Sequence, residues 1–318
     1  MGIRGRFAPS PTGDLHLGNA RTALLAWLQV RSAGGTFVLR VEDLDTGRVR
    51  PGKMERQLDD LRWLGLDWDE GPDVGGPYAP YVQSARRERY EQALTRLAAE
   101  RRIYACACSR RDVATASSAP HGIADDAPRY PGTCRGLSPA ALEEKSGGGP
   151  MALRFRVEPG KVCFDDLIAG PQCHEPDAEG GDFVVRRKDG VAAYQLAVVV
   201  DDAAMCITHV LRGADLLAST ARQLRLYDAL GLAAPAWAHV PLLLGPDGER
   251  LSKRHGAVSL AEYRERGTRP EALVGWLAAS CGLAEPGEAA RPADLIERFS
   301  LERLPREPTV LAGLPPLG

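Results

Sequence analysis

Short apolar runs alternate with longer amphipathic segments over the first part of the chain, up to residue 103. Two runs are strand-like and three longer segments repeat apolar residues at helical spacing: 3–8 and 36–41, then 22–30, 53–64 and 86–99. Alternating strands and helices predict an α/β fold with a parallel sheet. In such sheets ligands bind beyond the carboxyl ends of the strands, so Arg6, His16 and Glu42 are predicted to face one site.

The same kind of pattern returns after residue 182. Two apolar runs, 183–186 and 191–200, are separated by Asp189-Gly190, a dipeptide that favours a primed turn, so this segment predicts a β-hairpin. Residues 207–211 form another strand-like run, and the helical segment after it is predicted to end before Gly231. The parallel sheet is therefore expected to resume here.

The middle of the chain breaks the alternation. It contains a short helical piece, a glycine-rich link and two strand-like runs: 140–145, 146–149, 151–157 and 162–164. Residues 104–182 are therefore predicted to be a subdomain inserted into the sheet domain. Near the end of the chain, residues 260–266 and 271–281 predict a helical portion.

Composition is that of a globular protein and gives no overall attraction to nucleic acid. The 318 residues are 44% hydrophobic, and 40 basic against 42 acidic side chains give a formal charge of -2. RNA contacts would need local basic patches, although a solvated face is the commoner role of such patches: Arg86, Arg87 and Arg89; Arg101 and Arg102; Arg186, Arg187 and Lys188. Because no apolar run reaches membrane length and no signal peptide is evident, a cytoplasmic protein without membrane contact is expected.

The seven cysteines indicate reduced thiols or a metal site rather than a disulfide framework, because their number is odd and no export signal accompanies them. Cys106 and Cys108 are one residue apart and Cys134 follows; thiolates are soft ligands that suit tetrahedral zinc. A fourth ligand is needed, since His121 lies in an apparent loop insertion. Unligated cysteines in a small core are the alternative. The other four are expected to be packing residues: Cys163, Cys173, Cys206 and Cys281.

The turn after the first strand carries the main candidate chemistry. Pro9 and Pro11 cannot continue a central strand, and Gly13 and Gly18 allow a sharp turn, so His16 is predicted to stand just before a helix. A helix start presents unpaired N–H groups and the positive end of the helix dipole, where phosphate binds readily. The alternative is that His16 is only a polar loop residue.

Two short signatures resemble those of the class I aminoacyl-tRNA synthetases, known as HIGH and KMSKS. The first is Pro-x-Pro-x-Gly-x-x-His-x-Gly at 9–18, and the second is Leu-Ser-Lys at 251–253, after an apolar run at 240–244. Their order and separation fit that family. Four further segments resemble its glutamyl branch: 5–13, 40–45, 68–78 and 194–202.

Within that branch the chain resembles the short glutamyl-Q family most, over residues 5 to about 255. This resemblance implies a Rossmann-type α/β catalytic domain with a parallel sheet, an inserted zinc-containing subdomain and a C-terminal helical portion. The two halves of the catalytic domain are implied at 1–103 and 183–255. The acceptor-binding insertion is implied at 104–182, and the helical portion at 256–318. Longer glutamyl-type enzymes continue into an anticodon-binding region, which is not recognisable in these 318 residues.

The resemblance also implies the metal ligands. The glutamyl-Q family has Cys-x-Cys followed by Tyr-x-x-x-Cys, and the matching positions here are Cys106, Cys108, Tyr130 and Cys134. One zinc ion is therefore expected in the insertion. Tyr130 is the unusual member of the set, because a phenolate is a rare zinc ligand.

The activity implied is that of an aminoacyl-tRNA synthetase-type ligase. L-glutamate and ATP, with Mg²⁺ on the phosphates, would give glutamyl-adenylate. The glutamate would then pass to the queuosine base in the anticodon of tRNA(Asp). Catalysis would rest on positioning and charge stabilisation, without a covalent enzyme intermediate. A monomer is expected.

The implied catalytic residues are His16 and Lys253, which would stabilise the triphosphate. The implied ATP site comprises both and their neighbours: His16, Gly18, Asn19, Ser252 and Lys253. This chain departs from the general signatures at polar positions of both. Asn19 replaces a second His, and Arg250 and Arg254 replace a Lys and a Ser. A two-imidazole site is therefore not expected.

The implied glutamate pocket must match two carboxylates and one ammonium. Arginine pairs with carboxylates in a bidentate manner, which suits Arg6 and Arg212, whereas Glu42 would face the ammonium and Tyr194 would line the pocket. A structural ion pair is the alternative for each. The full set is Arg6, Phe7, Ala8, Pro9, Ser10, Glu42, Tyr194 and Arg212.

Two other functions stay open. A truncated glutamyl-tRNA synthetase that charges the tRNA 3′ end is one, since residues 68–81 resemble the full-length enzymes. A non-catalytic paralogue that binds RNA is the other, but it predicts loss of the phosphate-binding residues. His16, Gly18 and Lys253 are all present.

Overall fold

The computed structural model describes residues 2–109, 111–113, 129–249, 251, 258–311 and 313–315. The strands there are β1 (Arg4–Phe7), β2 (Thr36–Leu39), β3 (Ile103–Cys106), β4 (Ala152–Phe155), β5 (Val162–Asp166), β6 (Gly170–His174), β7 (Phe183–Arg186), β8 (His209–Gly213), β9 (Ala236–Val240), β10 (Leu243–Leu244) and β11 (Thr309–Val310). The α-helices are α1 (Leu17–Ser32), α2 (Lys53–Trp63), α3 (Arg87–Ala99), α4 (Pro139–Ser146), α5 (Pro176–Glu179), α6 (Tyr194–Ala204), α7 (Leu217–Ala229), α8 (Leu260–Glu265) and α9 (Pro270–Ala279). None of these helices has both the length and the apolar character needed to cross a membrane.

A six-stranded sheet organises the fold, with strand order β2-β1-β8-β9-β5-β6. Strands β2, β1, β8, β9 and β5 run parallel, and β6 pairs antiparallel to β5. The chain leaves β1 toward β2 on one side, and β8 returns on the other. A crevice at the carboxyl ends of the strands is expected at such a switch point, so the predicted α/β fold with a mostly parallel sheet is confirmed.

Two apolar cores cover the two faces of this sheet. Phe37 and Leu39 of β2 pack into the core that contains α1 and α9, whereas Val38 between them packs into the core with α3, α6 and α7. This follows from strand geometry, because successive side chains point to opposite faces. The predicted helices at 22–30, 53–64 and 86–99 correspond to α1, α2 and α3, and α1 begins five residues earlier than the apolar pattern indicated.

The region predicted as an insertion divides between two sheets. Strands β3, β4 and β7 form a separate antiparallel sheet, next to which the cysteine cluster lies. Strands β5 and β6 instead extend the main sheet, because β5 pairs with β9 at Asp166↔Trp237. The proposed boundaries at residues 103 and 182 therefore remain predictions, and they do not coincide with the sheets.

The predicted hairpin at 183–200 is wrong in its second arm. The turn forms, with the Gly190 amide donating to the Arg187 carbonyl at 3.0 Å, but strand-like pairing stops near the bridge Arg186↔Ala192. Residues 194–204 are the helix α6 instead. Its positions 196–202 are all buried, so apolar residues do not alternate with polar ones at helical spacing. The run of valines at 198–200 then resembles a β-strand in sequence.

The prediction of unpaired cysteines at 163 and 173 is also wrong. Cys163 and Cys173 are directly opposite each other in the antiparallel β5–β6 pair, with Cα atoms 4.1 Å apart, and they form a disulfide. Both side chains are exposed, so they do not pack in a core. The pairing depends on strand register, which the cysteine spacing does not reveal. Of the remaining two, Cys281 is buried as expected, but Cys206 is exposed.

Candidate active site

The turn between β1 and α1 presents a helix N-terminus. His16 is the residue before the helix, with extended backbone (φ -110, ψ 171), and its carbonyl accepts the first helical hydrogen bond from the Ala20 amide at 3.0 Å. The Asn19 side-chain oxygen accepts from the His16 amide at 3.2 Å. A Cβ added at Gly18 would meet nothing within 4 Å, so the space before the first helical turn is open. An anion can therefore approach these backbone amides.

A cavity of about 810 Å³ lies at this turn. Every described residue that the sequence predicted for glutamate or ATP lines it: Arg6, Phe7, Ala8, Pro9, Ser10, His16, Gly18, Asn19, Glu42, Tyr194 and Arg212. They come from β1, the turn after it, the first turn of α1, the loop after β2, the first residue of α6, and β8. The structure thus brings the predicted residues together, and their binding roles stay predictions.

Ser252 and Lys253 lie outside the described residues. The residues on either side of them do lie at the site. Leu251 lines the cavity, Ser259 forms a bridge with His16, and the Leu260 amide donates to the Leu15 carbonyl at 2.8 Å. The second signature is therefore connected at both ends to the turn that carries the first.

An ionic cluster lies behind the part of the cavity wall that Arg6 and Glu42 form. Arg40 is fully buried and contacts Asp202 at 2.6 Å and Glu42 at 3.1 Å, and Arg6 contacts Asp202 at 3.3 Å. Burial alone would raise the pKa of Asp202, but the guanidinium groups of Arg40 and Arg6 lower it below its ordinary value. Burial raises the pKa of Glu42, with Arg40 opposing the rise. Glu42 would therefore gain from a second cation, such as a substrate ammonium.

The helix α6 supplies the anchor of this cluster. Asp201, next to Asp202, accepts from Arg86 Nε at 2.6 Å, from Gln83 at 2.8 Å and from the Tyr90 hydroxyl at 2.8 Å. No role was predicted for Arg40, Asp201 or Asp202. The signal that could have found them is their place inside the family-like segments 40–45 and 194–202.

Arg212 differs from the other two arginines in its partners. It is 4% exposed, and its Nε donates to His239 Nε2 at 3.0 Å, Nη1 to Gln223 at 2.9 Å, and Nη2 to Thr220 at 2.8 Å. Its guanidinium also lies over the Trp237 ring, 4.5 Å from the centroid. Among the described residues, none of its contacts is a carboxylate, and burial lowers the pKa of Arg212.

The cavity lining carries charges of both signs. Arg6, Arg21 and Arg212 line it together with Asp14, Glu42 and Asp215. Among the described residues, the side chains of Arg21 and Arg212 contact neutral acceptors only. A buried charge without a direct counter-ion is costly, so these two arginines favour a ligand that brings an anionic group such as a carboxylate.

A cysteine cluster lies in the smaller sheet region. The sulfur atoms of Cys106, Cys108 and Cys134 are buried and within 4.8 Å of one another, and those of Cys108 and Cys134 are 3.6 Å apart. The Tyr130 hydroxyl lies 3.4 Å from the Cys106 sulfur. This spacing is close to what four ligands around one zinc ion require, at about 2.3 Å per sulfur, so the donor set fits zinc. His121 lies outside the described residues.

Arg154 contacts this cluster from the neighbouring strand β4. Its Nε donates to the Cys106 sulfur at 3.2 Å, and its guanidinium lies 3.7 Å from the centroid of the Tyr130 ring. A cation at this place compensates the negative charge that several thiolates bring to a zinc site.

A second cavity of about 1130 Å³ adjoins the first. Ser10, Glu42 and Tyr194 line both cavities. The second extends from them to the cysteine cluster. Its lining includes four basic side chains and also four acidic ones: Arg154, Arg187, Lys188 and Arg222, and Glu42, Asp45, Asp182 and Asp189. A large, partly basic space is therefore open beside the candidate glutamate pocket.

Comparison with known proteins agrees with this geometry. The family described as "tRNA synthetases class I (E and Q), catalytic domain" matches residues 2–310. The "Glutamyl-Q tRNA(Asp) synthetase" of Symbiobacterium thermophilum is 60% identical over 96% of this chain and 94% of its own length. The "Glutamate--tRNA ligase" of Heliobacterium modesticaldum is 46% identical, over 97% of this chain but 62% of its own length.

A solved structure has the same fold. The crystal structure of glutamate-tRNA synthetase from Elizabethkingia anophelis aligns with a TM-score of 0.85 at 32% identity. The alignment covers 98% of this chain and 68% of that one. The fold described above is thus shared with about two thirds of a longer enzyme, and this chain spans about two thirds of that enzyme's length.

Proposed function

Since this chain belongs to the class I tRNA synthetases of the glutamate and glutamine type, within their short glutamyl-Q branch, we propose that it activates L-glutamate with ATP. We further propose that it transfers the glutamate to queuosine in the anticodon of tRNA(Asp). It is a ligase of the aminoacyl-tRNA synthetase type. The amino acid, the acceptor and the residue roles given below are proposals.

The observation that carries the proposal is the charge pattern of the first cavity. Arg212 is a buried arginine whose side chain contacts neutral acceptors, and Glu42, with a pKa raised by burial, lines the same cavity. Glutamate has two carboxylates and one ammonium, and therefore one net negative charge. Arg212 and Arg6 would hold its carboxylates and Glu42 its ammonium, while Tyr194 would cover the pocket.

The activation step would take place between this pocket and the start of α1. A glutamate carboxylate oxygen attacks the α-phosphorus of ATP, the bond to the β-phosphate oxygen breaks, and pyrophosphate leaves. The amides of Gly18 and Asn19, with the His16 imidazole, would stabilise the charge on the phosphates. Lys253 would add a further cation to the phosphates, and Mg²⁺ would accompany the ATP.

The transfer step needs an acceptor beside the adenylate. A hydroxyl oxygen of the acceptor attacks the acyl carbon, its proton is released, and AMP leaves. The second cavity offers the room, because it shares Ser10, Glu42 and Tyr194 with the glutamate pocket and carries basic side chains suited to a phosphate backbone. Zinc held by Cys106, Cys108, Cys134 and Tyr130 would brace this region by joining β3 to residues 130–134.

The choice of queuosine over the 3′ end is supported by the relatives. Four relatives named for glutamyl-Q match this chain over 94–95% of their own lengths, whereas those named for glutamate–tRNA ligation match over 57–62% of theirs. Charging of the tRNA 3′ end is the second candidate, because those longer ligases are 46–51% identical to this chain.

Transfer of labelled glutamate to three RNAs tests the proposal. The RNAs are tRNA(Asp) with queuosine, the same tRNA with guanosine in its place, and tRNA(Glu), each incubated with ATP, Mg²⁺ and the zinc-loaded protein. We expect label on the first alone. Label on tRNA(Glu) would support 3′ charging instead. Absence of glutamate-dependent ATP–pyrophosphate exchange would contradict the activation step itself.

A further inference from the structure

A buried Asp166–His239 pair lies behind Arg212 across three neighbouring strands. Arg212 is on β8, and the strand register sets it opposite His239 on β9. Asp166 ends β5, the strand on the far side of β9. Its Oδ2 is 2.6 Å from His239 Nδ1, whose ring Nε2 is 3.0 Å from Arg212 Nε. Neither Asp166 nor His239 lines the cavity, and both are almost fully buried.

The hydrogen bonds determine the tautomer of the imidazole. An arginine only donates, so Nε2 of His239 must accept from it and carry no proton. The proton is then on Nδ1, where it is donated to the Asp166 carboxylate. Burial lowers the pKa of His239, although Asp166 opposes this, so the ring is neutral. Burial alone would raise the pKa of Asp166, but the hydrogen bonds from His239 and the Ala169 amide lower it, so the carboxylate is charged.

We propose that Asp166 and His239 are positioning residues for glutamate binding, which act by fixing the direction of the Arg212 guanidinium. The proposal rests on the role given to Arg212 under the proposed function. The neutral imidazole is a spacer between two charges. It transmits the orientation of Asp166 to Arg212 but keeps the carboxylate out of direct contact, so that the guanidinium stays available to a substrate carboxylate.

The donor count of Arg212 supports this arrangement. A guanidinium has five N–H donors. Four are directed at the described acceptors His239, Gln223, Thr220 and the Leu216 carbonyl. The donor left over is on Nη1, and Arg212 lines the cavity. The neighbours thus hold the group on one side and leave one N–H for a ligand, which is how a pre-organised anion site is built.

Asp166 is itself held in one orientation. Its Oδ1 accepts three backbone amides, from Ile168 at 3.0 Å, Ala169 at 2.8 Å and His239 at 3.1 Å. Only Oδ2 is therefore left for the imidazole. In Asp166→Asn the three amides would keep the amide oxygen, so the new NH₂ group would face His239 Nδ1. The imidazole proton would then move to Nε2 and oppose the Arg212 N–H.

The kinetic test compares two substitutions of His239. The Gln side chain reaches the Nε2 position with an acceptor, whereas Asn reaches only the Nδ1 position. We expect His239→Asn to raise KM for glutamate about tenfold or more, with KM for ATP changed by less than about twofold, and His239→Gln to recover most of the loss. His209→Gln is the matched control, because His209 is on the same strand as Arg212 and its ring bonds to Thr208.

A purely structural role gives different results. Equal losses in His239→Asn and His239→Gln, or a parallel rise of KM for both substrates, would overturn the proposal. The tautomer itself is measured without any activity, from the ¹⁵N shifts of the His239 ring. We expect an Nδ1–H imidazole in the wild type and an Nε2–H imidazole in Asp166→Asn. A charged ring, or Nε2–H in the wild type, would also overturn it.

These readouts separate the two proposals. If the wild type shows no glutamate-dependent exchange, the proposed function fails, while the ¹⁵N result still decides whether the pair orients Arg212. If the wild type is active and the variants match the His209→Gln control in KM, the proposed function stands and the positioning role fails.

Discussion

Three arginines at or behind the cavity wall, Arg6, Arg40 and Arg212, differ in what balances their charge. Arg6 and Arg40 contact Asp202 directly, at 3.3 and 2.6 Å, whereas the described partners of Arg212 are neutral acceptors. Pairing with a carboxylate stabilises an arginine in place but reduces its attraction for a ligand. We therefore expect Arg212 to contribute most to the binding of a substrate carboxylate, Arg6 to contribute less, and Arg40 to shape the pocket.

At the same scale, Lys253→Ala tests the phosphate assignment. Loss of one cation that stabilises the developing charge should slow glutamate-dependent ATP–pyrophosphate exchange by about a hundredfold or more. The unfolding midpoint, measured in parallel, should move little. Lys161→Ala, at an exposed position on the β5 side of the molecule, is the control and should leave exchange unchanged. A near-normal rate in Lys253→Ala would mean that this lysine does not act on the phosphates.

A second residue-scale prediction concerns zinc. Arg154→Gln removes the guanidinium that lies 3.2 Å from the Cys106 sulfur, so zinc affinity measured by competition with a coloured chelator should fall about tenfold or more. The control is Arg156→Gln. The Arg156 guanidinium lies 4.7 Å from the centroid of the Tyr104 ring. Among the described residues, its side chain has no hydrogen bond to the cysteine cluster. Equal affinities in both variants would contradict the role given to Arg154.

At the scale of elements, α2 connects the two signature segments. Gln57 of α2 donates to the carbonyls of Ser10 and Gly13, at 3.0 and 2.7 Å, in the turn before α1. On its other side Asp60 is 3.3 Å from Arg264 of α8, the first helix after the second signature. A shift of α8 would therefore be transmitted through α2 to the turn that carries His16.

The buried Asp60 predicts a pH dependence of stability. Neither oxygen accepts a hydrogen bond among the described residues, and burial raises its pKa from 3.8 to about 6. The folded protein then binds more protons than the unfolded chain between about pH 4 and 6. Its stability contribution is complete below pH 4 and is lost as pH rises through 6, by roughly 2–3 kcal/mol.

Asp60→Asn tests this, because Asn has a similar shape and does not ionise. Relative to wild type, the variant should gain stability as pH rises from 4 to 7, as measured by urea unfolding at each pH. Asp59→Asn is the control, since the neighbouring Asp59 is exposed and should show no such trend. A constant difference between Asp60→Asn and wild type at every pH would refute the raised pKa.

Helices with one apolar face could be predicted from the sequence, whereas a fully buried helix and a disulfide could not. Helices with an apolar face, such as α2 and α3, were found because solvent contact on one side gives a period. Helix α6 was read as a strand because positions 196–202 are buried on all sides and rich in valine. The Cys163–Cys173 disulfide depends on the register of β5 and β6, which no local pattern specifies.

At the scale of the whole molecule, part of the candidate site could be predicted from the sequence and part could not. The residues at 6–19 are consecutive or follow the spacing of a family signature. Sequence alone therefore predicted that they lie together with Glu42, Tyr194 and Arg212, and the structure places all of these around one cavity. The partners that orient Arg212 were not found. Asp166 and His239 belong to strands far apart in sequence, and they meet Arg212 only through the order β8-β9-β5.

The overall fold does not by itself determine which acceptor receives the glutamate. This fold matches a longer glutamate-tRNA synthetase at a TM-score of 0.85, so the activation site alone does not distinguish the two functions. Specificity for a modified base would have to come from the second cavity, between Tyr194 and the cysteine cluster. The central claim is therefore about where on the RNA the glutamate is attached.

Mass spectrometry of nuclease fragments tests that claim most directly. After reaction with glutamate and ATP, queuosine-containing tRNA(Asp) is digested and each fragment is weighed. We predict one glutamate on the anticodon fragment that holds queuosine and none on the 3′-terminal adenosine. Glutamate on the 3′-terminal adenosine, with an unmodified anticodon fragment, would contradict the account and identify a charging enzyme.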